Sequence, residues 1–265
     1  MLSFRSEFYK TRKTAAFWSA IILPVLICGL IFSGFFINAD KIANGHVSGM
    51  MLWLQFAGAI LGIMGVLLLP ILIVFIAYSV NSIEHKADTW KTLFSLPISK
   101  LSVYAAKYLY ALFLLLLCLT LFAALTYGFG NLLGTLKPAL KFHDYAVGQL
   151  LTEVYFKLFL SALGILSIQF LLSVLFRDFL KPMGIGFAAT IAGVIMVNLG
   201  WQYAYLFPYS HPITVIQLLP KHTHMASSTS SVQIDIFTKE IFVSLIVSAA
   251  VFVGGYLIVL KKSVK

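Results

Sequence analysis

The chain has 265 residues, of which 60% are hydrophobic and only 11% charged, with a mean hydropathy of +0.96. That balance excludes a soluble globular domain, which carries roughly 25% charged residues, and points to an all-α polytopic membrane protein. The formal charge of +10 could suggest a nucleic-acid partner, but no basic cluster interleaved with stacking aromatics lies outside the apolar runs, which argues against nucleic acid.

Residues 1–16 carry Arg5, Glu7, Lys10, Arg12 and Lys13, with Phe4, Phe8 and Ala15 on one side. This fits an interfacial helix; an irregular basic tail that only sets topology is the other reading. Six runs, at about 17–37, 53–80, 103–127, 154–176, 183–207 and 241–260, have the roughly 20 apolar residues of a spanning helix. No small-residue cleavage site follows the first, which reads as a retained helix. Span two, roughly 40 Å long if continuous, exceeds the hydrocarbon thickness and has to tilt, kink or project. Pro70 supplies a cause for a kink there and Pro24 one in span one. Gly58, Gly62 and Gly65 offer a small-residue face for close helix packing.

Between spans two and three runs Ser82-Ile-Glu-His-Lys-Ala-Asp-Thr-Trp-Lys-Thr-Leu-Phe-Ser-Leu-Pro-Ile-Ser-Lys100. As a helix over 84–95, it places Ala87, Trp90 and Phe94 on one apolar edge and Glu84, Asp88 and Lys91 on a charged flank, with Pro97 as its stop. A short amphipathic helix beside the bilayer either lies in the lipid interface or lays its apolar edge into a groove on a partner. Lys100 and Lys107 read as headgroup and topology anchors.

Further on, Glu153 and Lys157, four residues apart, are expected to pair. Gln169, Asn198 and Gln202 are the uncharged polar exceptions in spans four and five, open to two readings: interhelical hydrogen bonds or a candidate substrate path. After span five, Trp201, Tyr203, Tyr205, Phe207 and Tyr209 form an aromatic belt. The segment 208–220, with Tyr209, His211 and Pro212, is too short and too broken by proline to cross, and reads as a re-entrant or outer hairpin.

With six spans, thirteen of the nineteen Lys and Arg fall on the side of the amino terminus, so the positive-inside pattern puts both termini and the 81–102 loop in the cytoplasm. No P-loop, H-E-x-x-H or G-x-S-x-G motif occurs, so an enzyme is not expected and any ATP is handled by another subunit. His222, His224 and His211 lack flanking Cys or acids and read as loop histidines, not a metal site. Cys28 and Cys118 sit inside spans as small apolar residues. Absence of a carboxylate at a span centre weakens an ion-coupled carrier.

Taken together, the basic N-terminal helix, six spans, the Glu84…Asp88-Thr-Trp-Lys91…Ser95-Leu-Pro-Ile-Ser-Lys100…Lys107 series and the aromatic-proline hairpin resemble the permease subunits of type-2 ABC exporters. Within these, the series is most similar to lantibiotic-immunity and bacitracin-type permeases, a resemblance covering essentially the whole chain as a single permease domain, 1–265. The resemblance implies a permease dimer, of two copies or a copy and a paralogue, in the bacterial cytoplasmic membrane. It further implies separate ABC ATPase subunits that bind ATP and Mg, with no cofactor on this chain. The 84–95 helix would be the coupling element, with Trp90, Leu93 and Phe94 seated in the ATPase and Glu84, Asp88 and Lys91 fixing register. The cargo would be amphipathic: an antimicrobial peptide, lipid or drug. An ion-coupled carrier and a non-transporting membrane scaffold are the competing readings.

Overall fold

A computed structural model describes residues 2–43, 47–86, 99–217 and 234–261, and among these every regular element is helical. Six helical stretches are long and apolar enough to cross a membrane: Ala15–Ile37, Gly49–His85, Lys100–Leu136, Gly148–Leu175, Leu180–Asn198 and Lys239–Lys261. In chain order the elements are α1 (Leu2–Thr11), α2 (Ala15–Ile37), α3 (Ala39–Ala43), α4 (Gly49–Ile63), a π-turn (Met64–Leu68), α5 (Leu69–Lys86), α6 (Lys100–Leu136), α7 (Gly148–Leu175), α8 (Leu180–Asn198), α9 (His211–Gln217) and α10 (Lys239–Lys261). Short 3-10 turns at Ala204–Leu206 and Pro208–Ser210 lead into α9.

Local chemistry sets the element ends. Ser48 and Ser99 cap α4 and α6, accepting from the backbone N–H of Met51 at 3.3 Å and Ser102 at 3.2 Å. At the far end of α8, Gly200 takes a left-handed φ of +67°; its N–H reaches the carbonyl of Val197 and the N–H of Trp201 that of Met196. This double bond pattern ends a helix with a glycine. Span five therefore stops at Asn198, not at the expected 207, and the aromatics from Trp201 to Tyr209 belong to the segment that follows.

Pro24 lies inside an uninterrupted α2, whereas Pro70 lies two residues past the π-turn, as the second residue of α5. Proline lacks the N–H that would bond one turn back, and a widened π-turn is one way a helix absorbs such a break. Of the small-residue face, Gly65, in the π-turn, is closely met: a Cβ there would strike Ile216 of α9, while Gly58 and Gly62 have nothing within 4 Å among the described residues.

α7 is the most enclosed of the six spans, packed by α10, α5 and α6, while α2, α8 and α10 turn most of their surface outwards. Hydroxyls tie these helices where apolar packing alone gives little driving force in lipid. The Tyr108 hydroxyl lies 2.7 Å from Ser167 Oγ and 3.0 Å from Ser248 Oγ, joining α6, α7 and α10. Ser244 of α10 donates to the Leu160 carbonyl at 2.8 Å and accepts from the Gly164 N–H at 3.0 Å. α1 and the last turns of α10 lie at one end of the bundle, since Glu7 meets the start of α6 there and Tyr256 packs on Tyr104.

Candidate functional site

At the α1 end, Val80 and Glu84 are one turn apart on α5, so a main-chain carbonyl and a carboxylate share one face. Lys107, in the second turn of α6, reaches into that face. Its ammonium donates to Glu84 Oε2 at 2.7 Å, to the Val80 carbonyl at 2.9 Å and to Glu7 Oε2 of α1 at 3.0 Å. Lys10 adds a weaker contact to the same two carboxylates, 3.2 Å to Glu7 Oε1 and 3.4 Å to Glu84 Oε1. Lys107 is 0% exposed, Glu84 2% and Glu7 4%, so the centre of the cluster is sealed from solvent. Burial alone would lower the pKa of Lys10, at the rim; the carboxylates of Glu7 and Glu84 outweigh it and hold the group above the ordinary lysine value.

Lys107 is thus not a headgroup anchor. It faces inward because two carboxylates and a carbonyl meet it there, and a buried ammonium is tolerated only with such partners. Glu84 is likewise enclosed: it lies in the last turns of α5, facing Lys107 and Lys10 of its own chain. Neighbouring bonds fix this end of α5 to α7, with His85 Nε2 2.8 Å from the Ser173 carbonyl and Asn81 Nδ2 donating to Ser173 Oγ at 2.7 Å. Asp88, Trp90, Lys91, Leu93 and Phe94, and so most of the expected 84–95 helix, lie outside the described residues. α1 is held by its polar side, with Glu7 and Thr11 buried and Phe8 packing edge-to-face with Tyr110 and Phe17.

At the opposite end the segment 204–217 tucks against α7, α8 and the π-turn. Gln169 of α7 donates through Nε2 to the Tyr209 hydroxyl at 2.6 Å, and both residues are buried. His211 is fully buried with Nε2 2.8 Å from the Tyr205 carbonyl; a carbonyl can only accept, so this nitrogen carries the proton. Burial holds the imidazole below its ordinary pKa, hence neutral. Pro212 is buried beside it. Gly193 of α8 lets the backbone of the 208–210 turn come close, since a Cβ there would lie 2.7 Å from the Tyr209 carbonyl oxygen. Of the three candidate path residues, Gln169 bonds to Tyr209 whereas Asn198 and Gln202 are exposed at the end of α8. The three do not form one polar path.

The expected Glu153–Lys157 pair is not made. Gln149 donates to Glu153 Oε1 at 2.9 Å, while Lys157, 2% exposed, donates to the Asp235 carbonyl at 2.6 Å. The reason is that α10 packs along α7, and the lysine turns towards the chain entering α10. Between α6 and α7 runs an apolar groove of about 500 Å³, lined among others by Leu116, Ala123, Tyr127, Tyr155 and Phe159. Among the described residues no three His, Cys, Asp or Glu side chains are grouped to hold a metal; His222 and His224 lie outside them.

The sequence model of the ABC-2 family transporter proteins matches residues 3–193, from α1 through most of α8. No curated protein matches the chain, and no solved structure does. The matched region contains the whole ion cluster, four of the six spanning helices and most of a fifth, and the family implies an ABC ATPase partner. With its six apolar helices and a family match over well more than half its length, the chain is a multi-pass membrane protein that belongs to the ABC-2 transporter family.

Proposed function

We propose that this chain is the membrane-spanning subunit of an ATP-driven exporter of amphipathic cargo, working as a permease dimer in the bacterial cytoplasmic membrane. ATP and Mg are bound and hydrolysed by separate ATPase subunits docked at the α1 end, which faces the cytoplasm. The excess of Lys and Arg at that end supports the orientation. The single observation that carries the reading, beyond family membership, is the sealed Glu84–Lys107 pair at the root of the 87–98 segment. A docking element that passes on force needs a stiff attachment to the spans, and a buried ion pair backed by the His85 and Asn81 bonds to α7 supplies one. On this reading Trp90, Leu93 and Phe94 seat in an ATPase groove while Asp88 and Lys91 set register. α1 lies at the membrane interface and 208–220 is a re-entrant hairpin on the outer side.

An amphipathic cargo of the lantibiotic or bacitracin class, or a lipid or drug of similar character, fits the apolar groove between α6 and α7 and the outward apolar faces of α2, α8 and α10. The test compares cells lacking the protein with cells carrying wild type or Trp90→Ala/Phe94→Ala. Wild type is expected to raise the tolerated concentration of a cationic amphipathic peptide several-fold, and the double variant to leave it at the level of the deletion. Equal peptide tolerance in all three strains, with accumulation of a small hydrophilic solute in the deletion, would contradict this cargo.

A further inference from the structure

The ion cluster contains more than an attachment for the 87–98 segment needs. Glu84 and Val80 already satisfy two of the three donors of Lys107; the third goes to Glu7, one hundred residues away on α1. That carboxylate is 4% exposed although α1 is only ten residues long and most of its other described residues face solvent. A short surface helix gains nothing by burying a carboxylate unless the partner lies inside. Thr11 is buried beside it, its hydroxyl donating to the Glu7 carbonyl at 2.6 Å, so the polar side of α1 is turned into the bundle.

We infer that Lys107 is the positioning residue of the coupling apparatus: its ammonium, shared between Glu84 of α5 and Glu7 of α1, makes α1 and the root of the 87–98 segment move as one body. The inference rests on the proposed docking of an ATPase at this end. Displacement of α5 by that partner then acts on α2 as well, because α1 runs directly into it through residues 12–14. Lys10 reinforces the union from the rim, contacting the same two carboxylates. α1 can leave the bundle only by giving up the Glu7 bond and exposing a charged pocket. The cluster therefore acts as a latch that, while closed, carries a displacement of α5 on to α1.

The experiment uses the full chain in lipid nanodiscs, with whatever ATPase co-purifies, and a Thr11→Cys reporter, since Thr11 is 1% exposed while α1 is docked. Native Cys28 and Cys118 are 0% exposed and report in the same sample whether the bundle itself has opened. Glu7→Gln is the informative substitution, because Lys107 keeps Glu84 and Val80 and the spans keep their packing. Thiol labelling at Thr11→Cys is expected to rise about tenfold or more on adding Glu7→Gln, the size that loss of one charge-assisted bond implies, with both native cysteines still protected. In the same variant basal ATP hydrolysis persists and its stimulation by a synthetic Leu/Lys amphipathic peptide is lost.

Unchanged labelling would overturn the latch. Raised labelling with peptide stimulation intact would reduce the cluster to a structural clasp and overturn the positioning role. If no ATPase co-purifies with either protein, the proposed function fails and takes the coupling role with it, while the labelling still decides whether Glu7 holds α1. If the native cysteines label as well, Glu7→Gln has opened the whole bundle, and a clasp confined to α1 is refuted.

Discussion

Lys107→Met is expected to cost about 3 to 5 kcal/mol of stability, the loss typical of removing one partner from a buried ion pair. The methionine fills much of the lysine's space, so the cost is electrostatic: Glu84 and Glu7, 2% and 4% exposed, lose the ammonium that faces them at 2.7 and 3.0 Å. The Val80 carbonyl loses its extra donor too. Lys10 sits beside the same carboxylates but is 38% exposed in its side chain and bonds at 3.2 and 3.4 Å, so Lys10→Met should cost less than about 1 kcal/mol. Chemical or thermal denaturation of the detergent-solubilised protein, with both variants side by side, measures the difference. Equal losses would mean that Lys107 is not the centre of the cluster.

Gly193→Ala is expected to dislodge the segment 208–217 from α8. The added Cβ would lie 2.7 Å from the carbonyl oxygen of Tyr209, 2.8 Å from its carbon and 3.0 Å from the nitrogen of Ser210, all main-chain atoms that no rotamer change can clear. Either α8 or the segment 208–210 must move, at about 1 to 3 kcal/mol for an overpacked contact. The displacement pulls on the Tyr209 hydroxyl and so on its 2.6 Å bond from Gln169. Gly184→Ala in the same helix is the control: nothing lies within 4 Å of its Cβ position, and alanine is the better helix former by about 1 kcal/mol. A fall in melting temperature for Gly193→Ala with none for Gly184→Ala is the expected pair of results. A neutral Gly193→Ala would mean that the segment 208–217 does not rest on α8.

Much of the architecture is legible in hydropathy alone, because a membrane span announces itself by length and composition. All six spans fall where the apolar runs lie, with α6 extending further at its far end than expected. Span five is shorter than hydropathy predicts because the aromatics after Trp201 continue the apolar signal, while the turn is made by the left-handed Gly200, which hydropathy averages over. Partner identity is what the sequence leaves out. Glu7, Glu84 and Lys107 were each visible, but no spacing rule joins residues 100 positions apart, and positive-inside logic assigns any lysine near a span end to the headgroups. The four-residue rule for Glu153 and Lys157 does not hold for a related reason: it describes an isolated helix, and the chain entering α10, which packs on α7, brings the Asp235 carbonyl to the lysine. Gln169 and Tyr209 were singled out separately, as a path residue and a hairpin residue; only the fold puts them in one bond.

The measurement that bears most directly on the central claim is affinity purification of the solubilised wild-type chain and of Trp90→Ala/Phe94→Ala, with partner identity and ATP hydrolysis read on the eluates. An ATP-hydrolysing ABC subunit recovered with wild type and lost from the double variant is the result expected of an exporter permease that docks its motor through the 87–98 segment. Equal recovery with both would place the docking surface elsewhere on the chain, and recovery with neither would contradict the account of this protein as the membrane subunit of an ABC exporter.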